Sequence, residues 1–583
     1  MLITHILLLD NINIQKLIQV NIEIMSTISY YFNSKSSDWA FDSENMIDGN
    51  IDTDAHSDIP DEIEVLDGNT GIGTVLGTIT KVEIRAHGFL SGGSARLDII
   101  PVFSGSSDGD LHDSGVGFAE GWSSYTDITS DTNAPANWDW DDVKNLDCKA
   151  INIVNGGSPY VSKVEIRVTY TEIFTSKATG NWSTEGESTW NEPGHPTVLS
   201  QVVIQSGHTV TLNDVPSCNR ITIDSSGVLT DVTNNVGLTC AYWIRISGTM
   251  TCGTAAINIG TGQTALVGML DVKAGGVFNG GSGNHTIGSI DSSTATSTLS
   301  MTSGNCTVDG KSTYSIEISS SSTFAHNDGT IIITYVSSNI FIDTHPVYNL
   351  TINATGGIHI ETAVNVAGSL IIPTGTLYCD KSGGASFNLT VAGTLNITGE
   401  LNGVDATLDL NGNVTINGGG KFNATTGNTH IAGTFTNNGT FTHNNGTLIM
   451  DGSAQSLVGT MFFYSFTKSV TVTDKLTFDN TATYTFGGNV TLNGTSGNLL
   501  SLASNSTGNA FDFVMSAGAV KTNLDYLNVK DSDASSSDAS QKPIAPTNST
   551  DVSGNTDWFG AAPTPSTTGK GGFRAKRIII MSI

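Results

Sequence analysis

The stretch GTLNITGELNGVDATLDLNGNVTINGGGKFNATTGNTHIAGTF, residues 393–435, contains three copies of one phrase. In each copy a glycine precedes a small or β-branched residue and then an apolar residue. The copies begin at Gly393, Gly412 and Gly433, and the phrase recurs about every twenty residues between Gly207 and Gly488. A fixed period of this length is typical of a solenoid, whose repeats bury their apolar faces only against their neighbours. The sequence therefore predicts a stacked β-solenoid.

Apolar residues alternate with polar ones between these glycines, as in Val210-Thr-Leu212 and Val414-Thr-Ile416. Alternation of β-branched residues indicates short strands with one face in a core, and the Asn-Gly and Gly-Gly pairs between them indicate tight turns. Helical spacing is absent outside the first twenty-five residues. The predicted fold class is all-β, with an N-terminal antiparallel β-sandwich followed by a long parallel β-helix, or β-solenoid.

Tryptophan marks a change in composition along the chain, because seven of the eight tryptophans occur by residue 243 and the last is Trp558. We predict a leader or disordered segment at 1–25, a sandwich at 26–175, a solenoid with terminal caps at 176–558 and a linker with a basic and apolar tail at 559–583. About seventeen coils at a strand spacing near 4.8 Å would measure roughly 80 Å.

The pentapeptide KVEIR occurs twice in the first module, at residues 81–85 and 163–167, each time within an alternating strand. Two similar strands that bracket a segment of this size favour a compact antiparallel sandwich with a single core.

The turn MIDGNIDTD at residues 46–54 supplies Asp48, Asn50, Asp52 and Asp54, whose side-chain oxygens are the hard ligands that calcium prefers. The turn resembles the DGN-x-x-T element of discoidin-like, galactose-binding-type sandwiches. That resemblance implies a structural calcium in the turn and glycan binding by loops at one end of the module. An Asx-rich turn without an ion is the alternative, since Asp and Asn stabilise turns through their own backbone.

Three tryptophans of the first module, Trp122, Trp138 and Trp140, lie among Gly, Ser and Asp residues. An exposed aromatic ring in such surroundings can stack on a sugar, so these residues are candidate glycan ligands. Burial in the core of the sandwich is the alternative.

Both ends of the solenoid resemble those of repetitive parallel β-helix proteins on bacterial and phage surfaces. At the start the resemblance lies in GNWS, TW and GHTVTL, and at the end in YLNVKDS, NSTD and the final tryptophan. It implies a cap over each open end, where strands would otherwise be unpaired. Trp182 and Trp190 are then cap residues.

Composition favours an extracellular protein, on a virion or a cell surface. Only 14% of residues are charged and glycine fills 65 positions, so uncharged Thr, Ser and Asn must form most of the surface. The net charge of −29 opposes binding to nucleic acid, whose phosphates require a basic surface.

No stretch is suited to span a membrane, because the apolar run at 2–9 is too short. Six cysteines lack metal-site spacing, and although Cys240 and Cys252 could meet on adjacent strands, we interpret most of the six as small buried residues of the solenoid core.

A search for catalytic motifs finds no HExxH, P-loop or GxSxG pattern. Glu400, Asp405 and Asp409 form the densest acidic group inside the regular repeats, and a glycosidase needs a carboxylate pair. Such a trio also occurs readily at turns, so we interpret these residues as solvated loop carboxylates and assign no catalytic residue.

The leading hypothesis is a non-enzymatic, elongated surface fibre, either a tail-fibre-like virion protein or a cell-surface adhesin, that attaches through glycan recognition. The expected partners are a cell-surface glycan or other fibre subunits, including further copies of the chain. A polysaccharide-degrading β-helix enzyme with a carbohydrate-binding module is one alternative. A structural subunit that assembles end to end is another.

Overall fold

A computed structural model describes most of the chain. The described residues are 25–37, 39–71, 76–103, 107–153, 156–183, 188–192, 194–260, 268–310, 314–335, 338–382 and 384–560. The predicted leader, except its last residue, and the predicted tail beyond residue 560 lie outside them. About 2% of the structure is helical, and an N-terminal antiparallel sheet precedes a long parallel solenoid, which confirms the predicted fold class. Within the described ranges, no helix has the length and apolar character needed to cross a membrane.

The described residues form two compact units. One extends to Asn284 and includes Thr296–Thr298, and the other contains His285–Ala295 and the residues from Leu299 onward. The first unit holds the antiparallel sheet and the first solenoid turns, and the second holds the later turns. The predicted domain limits remain a prediction, although the last antiparallel strand ends at Thr171 and the first parallel strand begins at Ile173.

Residues 26–171 contain eleven antiparallel strands, and we call this segment the antiparallel module. They are β1 Ser26–Lys35, β2 Ala55–His56, β3 Ile63–Asn69, β4 Thr78–Leu90, β5 Arg96–Phe103, β6 Ser107–Asp108, β7 His112–Asp113, β8 Gly121–Trp122, β9 Thr126–Asp127, β10 Asp147–Ile153 and β11 Pro159–Thr171. The main strand order is β6-β5-β10-β3-β1-β11-β4-β8. Strand β1 pairs with β11 up to Tyr31 and with β3 from Phe32. It therefore joins the half of the sheet formed by β6, β5, β10 and β3 to the half formed by β11, β4 and β8. Both halves bury side chains in one core, which includes Phe32, Leu66 and Ile166.

One short α-helix, α1 Trp140–Lys144, interrupts the module, and single 3₁₀ turns occur at Ser43–Met46 and Ala539–Gln541. Asp139 caps α1 in a reciprocal capping box with Asp142. This helix is compatible with the absence of helical spacing from the sequence outside the first twenty-five residues. A helix of five residues is too short to show a hydrophobic period, because it completes fewer than two turns.

The solenoid has about 15 turns, somewhat fewer than the predicted seventeen. Its first strands are β12 Ile173–Thr175, β13 Gly180–Asn181, β14 Gln201–Ile204, β15 Thr209–Thr211, β16 Ser217–Ile223, β17 Val228–Thr230, β18 Leu238–Ile246, β19 Thr249–Thr251, β20 Ile257–Ile259, β21 Met269–Val272 and β22 Val277–Asn279.

The later strands continue the series. They are β23 His285–Ile287, β24 Ser289–Ser292, β25 Thr298–Ser300, β26 Asn305–Val308, β27 Tyr314–Ile318, β28 Thr323–Ala325, β29 Thr330–Ile333, β30 Ser338–Ile342, β31 Pro346–Val347, β32 Asn349–Ile360, β33 Val364–Val366, β34 Leu370–Tyr378, β35 Leu389–Val391, β36 Leu395–Ile397, β37 Glu400–Asn402, β38 Leu408–Leu410, β39 Val414–Ile416, β40 Lys421–Asn423, β41 Asn428–Ile431, β42 Phe435–Asn437, β43 Thr440–Thr442, β44 Thr447–Met450, β45 Gln455–Val458, β46 Met461–Phe463, β47 Ser465–Ser469, β48 Asp474–Phe478, β49 Thr483–Phe486, β50 Asn489–Asn493, β51 Leu500–Ser504, β52 Phe511–Met515, β53 Val520–Asp525, β54 Leu527–Lys530, β55 Ser532–Asp533 and β56 Thr550–Ser553.

The solenoid core consists of columns of like side chains in register. In the first unit, Val202 pairs with Ile221, Ile221 with Ile244 and Ile244 with Leu270, all on parallel strands. All four side chains are buried. Each turn therefore buries its apolar residues against those of the adjacent turns, as the period of the sequence predicts.

The repeated glycines also form a column, in the second unit. A Cβ atom on Gly393 would lie 2.5 Å from the carbonyl oxygen of Gly368, one on Gly412 would lie 2.1 Å from that of Gly393, and one on Gly433 would lie 2.4 Å from that of Gly412. Contacts this short with backbone atoms exclude any side chain. The glycine of the repeated phrase is needed because successive backbones approach too closely there for a Cβ atom.

Tryptophans fill both ends of the solenoid. Trp182 and Trp190 are buried, their rings meet edge to face at 5.6 Å, and Trp190 Nε1 donates to the Trp182 carbonyl oxygen at 2.8 Å. In the last turn, buried Trp558 packs 4.7 Å from Phe513 and donates to Ser532 Oγ at 2.8 Å. These contacts place all three rings inside the protein, as expected of cap residues.

All six cysteines are buried free thiols. Cys218 and Cys240 are register partners on β16 and β18. Cys252 follows β19, which belongs to a different sheet, so Cys240 and Cys252 do not lie on adjacent strands. The burial of all six thiols confirms that the cysteines are small buried residues. Burial raises the pKa of the Cys218 thiol, and the neighbouring Cys240 adds to the increase.

Candidate functional site

The two KVEIR segments pair with each other, antiparallel, in β4 and β11. In this register Arg85 lies opposite Glu165 and Glu83 lies opposite Arg167. Arg85 donates to Glu165 Oε2 at 2.9 Å, and Arg167 approaches Glu83 Oε2 at 2.6 Å. A strand that carries Glu and Arg two residues apart is complementary to an antiparallel copy of itself. The repeated pentapeptide therefore forms a ladder of ion pairs on the outer face of the sheet.

Aromatic rings cover this ladder. The Arg85 guanidinium lies 4.0 Å from the centre of the Trp122 ring, and the Arg167 guanidinium lies 3.6 Å from that of Tyr125. Tyr125 also donates to Glu165 Oε1 at 2.9 Å. Burial alone would raise the pKa of Glu165, but hydrogen bonds from Ser29, Arg85 and Tyr125 outweigh it and lower the pKa. The ladder is satisfied within the module, and we assign it to stability.

A row of four stacked rings crosses the same face. Phe41 stacks on His56 at 4.4 Å, His56 on Tyr160 at 4.5 Å, and Tyr160 on Phe89 at 4.6 Å, with interplanar angles between 7° and 15°. The rings come from β2, β11, β4 and the segment before β2. Phe41 is 45% exposed, and the other three rings are half-buried. We call Phe41, His56, Tyr160 and Phe89 the aromatic row.

A chain of polar side chains runs beside the aromatic row, two residues further along each strand. Ser162 Oγ donates to Asp54 Oδ1 at 2.7 Å, and His87 Nδ1 lies 3.0 Å from Ser162 Oγ. His87 in turn meets Trp122 edge to face at 5.0 Å. Residues two apart on a strand share a face. Ser162 and His87 are buried, so this chain of contacts connects the acidic turn to Trp122 beneath the surface.

The predicted calcium turn is closed by its own hydrogen bonds. Asp48 Oδ1 accepts from the Asn50 amide at 2.7 Å, Asp48 Oδ2 accepts from Thr53 Oγ1 at 2.8 Å, and Asn50 Oδ1 accepts from the Asp52 amide at 3.1 Å. The fourth candidate, Asp54, contacts Ser162 instead. Across the described part of the chain, no three His, Cys, Asp or Glu side chains are grouped to hold a metal ion. The geometry is that of an Asx-rich turn, and calcium at this turn stays a prediction.

The three tryptophans predicted as glycan ligands have different environments. Trp140 is buried in the core, donates to the Gly77 carbonyl oxygen at 2.7 Å and packs edge to face on Tyr170. Trp138 is half-buried and donates to the Thr129 carbonyl oxygen at 2.9 Å. Only Trp122 is exposed, at 36%, among the three. Of the three tryptophans, Trp122 is therefore the one on which the prediction of a glycan ligand depends.

The aromatic row itself was not predicted from the sequence. Its four residues are isolated aromatics at positions 41, 56, 89 and 160. None belongs to a local pattern, since the row exists only because β2, β4 and β11 are neighbours.

The acidic group of the solenoid is divided between two sheets. Glu400 lies on β37 and Asp409 on β38, and these strands belong to different sheets. Glu400 accepts from Asn423 Nδ2 at 2.6 Å, and Asp405 accepts from Thr426 Oγ1 at 2.7 Å. The carboxylates of Glu400 and Asp405 thus each contact an adjacent coil, and the three acidic residues do not share one strand face.

Comparison with known proteins gave no match to a family model, a curated protein or a solved structure. The discoidin-like and phage-fibre resemblances therefore stay predictions, carried by the residues quoted for them.

Proposed function

We propose that this chain is a non-enzymatic surface fibre, on a virion as a tail-fibre-like protein or on a cell as an adhesin, and that its antiparallel module recognises a glycan. The observation that carries the proposal is the aromatic row, which is a partly exposed stack of four rings that the acidic turn at residues 48–54 leads into. Binding sites commonly combine aromatic side chains with a few placed polar groups.

The chemistry of this surface favours a neutral glycan. Asp48, Asp52 and Asp54 lie in the turn that leads into β2, which carries His56 of the row. Their negative charge opposes an acidic sugar by like-charge repulsion. The apolar face of a neutral pyranose can pack on Phe41, and its hydroxyl groups can reach the polar side chains of the turn. Calcium at the turn would belong to this site, and an extracellular location belongs to the same proposal.

A glycan array probed with the full chain tests this proposal. Phe41→Ala removes an exposed ring from the end of the row, and we expect it to weaken binding by about tenfold or more, as loss of about 1.4 kcal/mol does. Phe118→Ala is the matched control, because Phe118 is 66% exposed in the same module and lies outside the row.

The array is run with calcium and with a chelator. Weaker binding without calcium, reproduced by Asp48→Asn, would support the ion site. Equal losses in Phe41→Ala and Phe118→Ala, or retention of no glycan, would contradict recognition by the row.

A further inference from the structure

The second unit contains one structural motif twice. Residues 324–330 read FAHNDGT and residues 441–447 read FTHNNGT. A tyrosine follows each motif in the next coil, Tyr348 after the first and Tyr464 after the second. His326 stacks on Tyr348 with ring centres 5.4 Å apart, and His443 stacks on Tyr464 at 5.8 Å. We call these sites the first corner and the second corner.

In both corners a backbone amide donates a hydrogen bond to the histidine ring. In the first corner, the amide of Asp328 donates to His326 Nδ1 at 3.0 Å, and in the second the amide of Asn445 donates to His443 Nδ1 at 2.9 Å. A ring nitrogen that accepts a backbone hydrogen bond carries no proton. Nδ1 of each imidazole therefore accepts a backbone hydrogen bond in this geometry, and burial lowers the pKa of His443.

Small spaces lie beneath the corners, and their linings correspond residue by residue. Thr302, Cys306 and Tyr348 in the first corner correspond to Thr425, Thr429 and Tyr464 in the second. The second space admits a group of about the size of one water molecule, and the first does not.

The polar groups of the two spaces differ at one position. Thr429 of the second corner is 1% exposed, and its Oγ1 has no hydrogen-bond partner among the described residues. Leaving a buried hydroxyl unpaired is unfavourable, because the group loses its hydrogen bonds to water without gaining one in the protein. Cys306 is the equivalent residue of the first corner, and its thiol does not require a hydrogen-bond partner because a thiol is a weak hydrogen-bonding group.

The rims of the two corners differ as well. Phe462 and Tyr464 border the second corner with exposures of 47% and 40%. Phe462 contacts His443 edge to face at 4.7 Å. Pro346 occupies the equivalent position of the first corner. Only the second corner therefore combines two exposed rings, an unpaired hydroxyl and room for one small polar group.

We propose that the second corner is a carbohydrate site, in which a neutral sugar ring packs on Phe462 and Tyr464 while one of its hydroxyl groups enters the space and bonds to Thr429. The space is too small for a sugar ring, so the ring stays at the surface. Its lining contains no Asp, Glu, Lys or Arg and only one histidine, His443, which favours an uncharged ligand. This site is separate from the aromatic row and does not depend on the function proposed for the module.

The test measures binding of neutral oligosaccharides of glucose, galactose and N-acetylglucosamine to the full chain by isothermal titration. All variants carry Phe41→Ala, which weakens binding by the row. We expect Tyr464→Ala and Thr429→Val each to weaken binding by about tenfold or more. Thr429→Val preserves side-chain shape and removes only the unpaired hydroxyl, so the fold is kept.

Tyr348→Ala is the matched control, because it makes the same truncation at the first corner, and we expect it to bind as the parent does. Equal weakening by Tyr348→Ala, full binding by Thr429→Val, or no binding to any of these sugars overturns the proposal. If Phe41→Ala alone abolished all binding, the second corner would be excluded while the function proposed for the module would stand.

Discussion

Replacing Asp474 with alanine should destabilise the surrounding solenoid turns by about 3–5 kcal/mol, the usual cost of removing one partner from a buried ion pair. Lys468 is fully buried, and its Nζ lies 2.8 Å from Asp474 Oδ2, 2.8 Å from Gln455 Oε1 and 2.6 Å from the Gly452 carbonyl oxygen. Three acceptors match the three protons of the ammonium group. The substitution leaves the charge of Lys468 in the core without its carboxylate.

Amide hydrogen exchange in β45, β48 and β51 measures this cost locally. A local method is needed because a repeat protein with two compact units need not unfold in one two-state step. A loss of 3–5 kcal/mol corresponds to exchange faster by roughly two to three and a half orders of magnitude. Asp451→Ala is the matched control, because Asp451 is 42% exposed and pairs with His430 at the surface. We expect it to cost about 1 kcal/mol or less.

Acid should reduce the effect of the Asp474 substitution. Burial alone would raise the pKa of Asp474, but hydrogen bonds from Lys468 and backbone amides outweigh it and lower the pKa below its ordinary value of 3.8. A carboxyl with a lowered pKa stabilises the fold fully above its unfolded pKa and loses this contribution as pH falls through the folded pKa. The difference between the native chain and Asp474→Ala should therefore be constant above about pH 5 and shrink below pH 4. Equal costs at Asp474 and Asp451, or a cost that does not change in acid, would refute this reasoning.

Three further outcomes follow from the structure. Arg85→Glu should destabilise the module by about 2–4 kcal/mol, measured by amide hydrogen exchange in β4 and β11, and adding Glu165→Arg should restore much of the loss because the pair is rebuilt with reversed charges. Gly248→Ala should cost about 2–3 kcal/mol, because the new Cβ would lie 2.2 Å from a backbone oxygen of the preceding coil. Gly418→Ala should change little because its Cβ meets no atom closer than 4.0 Å, and hydrogen exchange can compare the two. Burial raises the pKa of Cys148 to about 12, so iodoacetamide at pH 8 should label it only after denaturation.

The solenoid could be predicted because its main constraint repeats within one period. Gly393 and Gly412 must lack side chains for a reason that lies one coil away, and the same reason recurs in each coil with this phrase. The alternating residues between them then place the apolar side chains in the core. The count of turns was less predictable, since coils of irregular length interrupt the spacing.

The organisation of the module was only partly predictable. The repeated KVEIR segment indicated two similar strands, but not that β4 and β11 pair with each other, since partners in a sheet are chosen by the whole fold. A local signal for α1 existed in the spacing of Asp139 and Asp142, and it would have placed Trp140 in a helix that packs on the core.

The aromatic row and the second corner depend on contacts across neighbouring strands and coils. Phe41 and Phe89 are 48 residues apart in sequence, and only the strand order brings their rings into one stack. The duplicated FxHNxGT motif is visible in the sequence, but the unpaired hydroxyl of Thr429 beneath its second copy is not, because that residue belongs to the previous coil.

The most direct test of glycan recognition by the aromatic row is amide hydrogen exchange of the full chain, with and without the neutral oligosaccharide that the array retains best. We predict slower exchange at Ala55–His56 and at the start of β11 around Tyr160 when the sugar is bound, and no such change in Phe41→Ala. Unchanged exchange in these strands at saturating sugar would contradict the account.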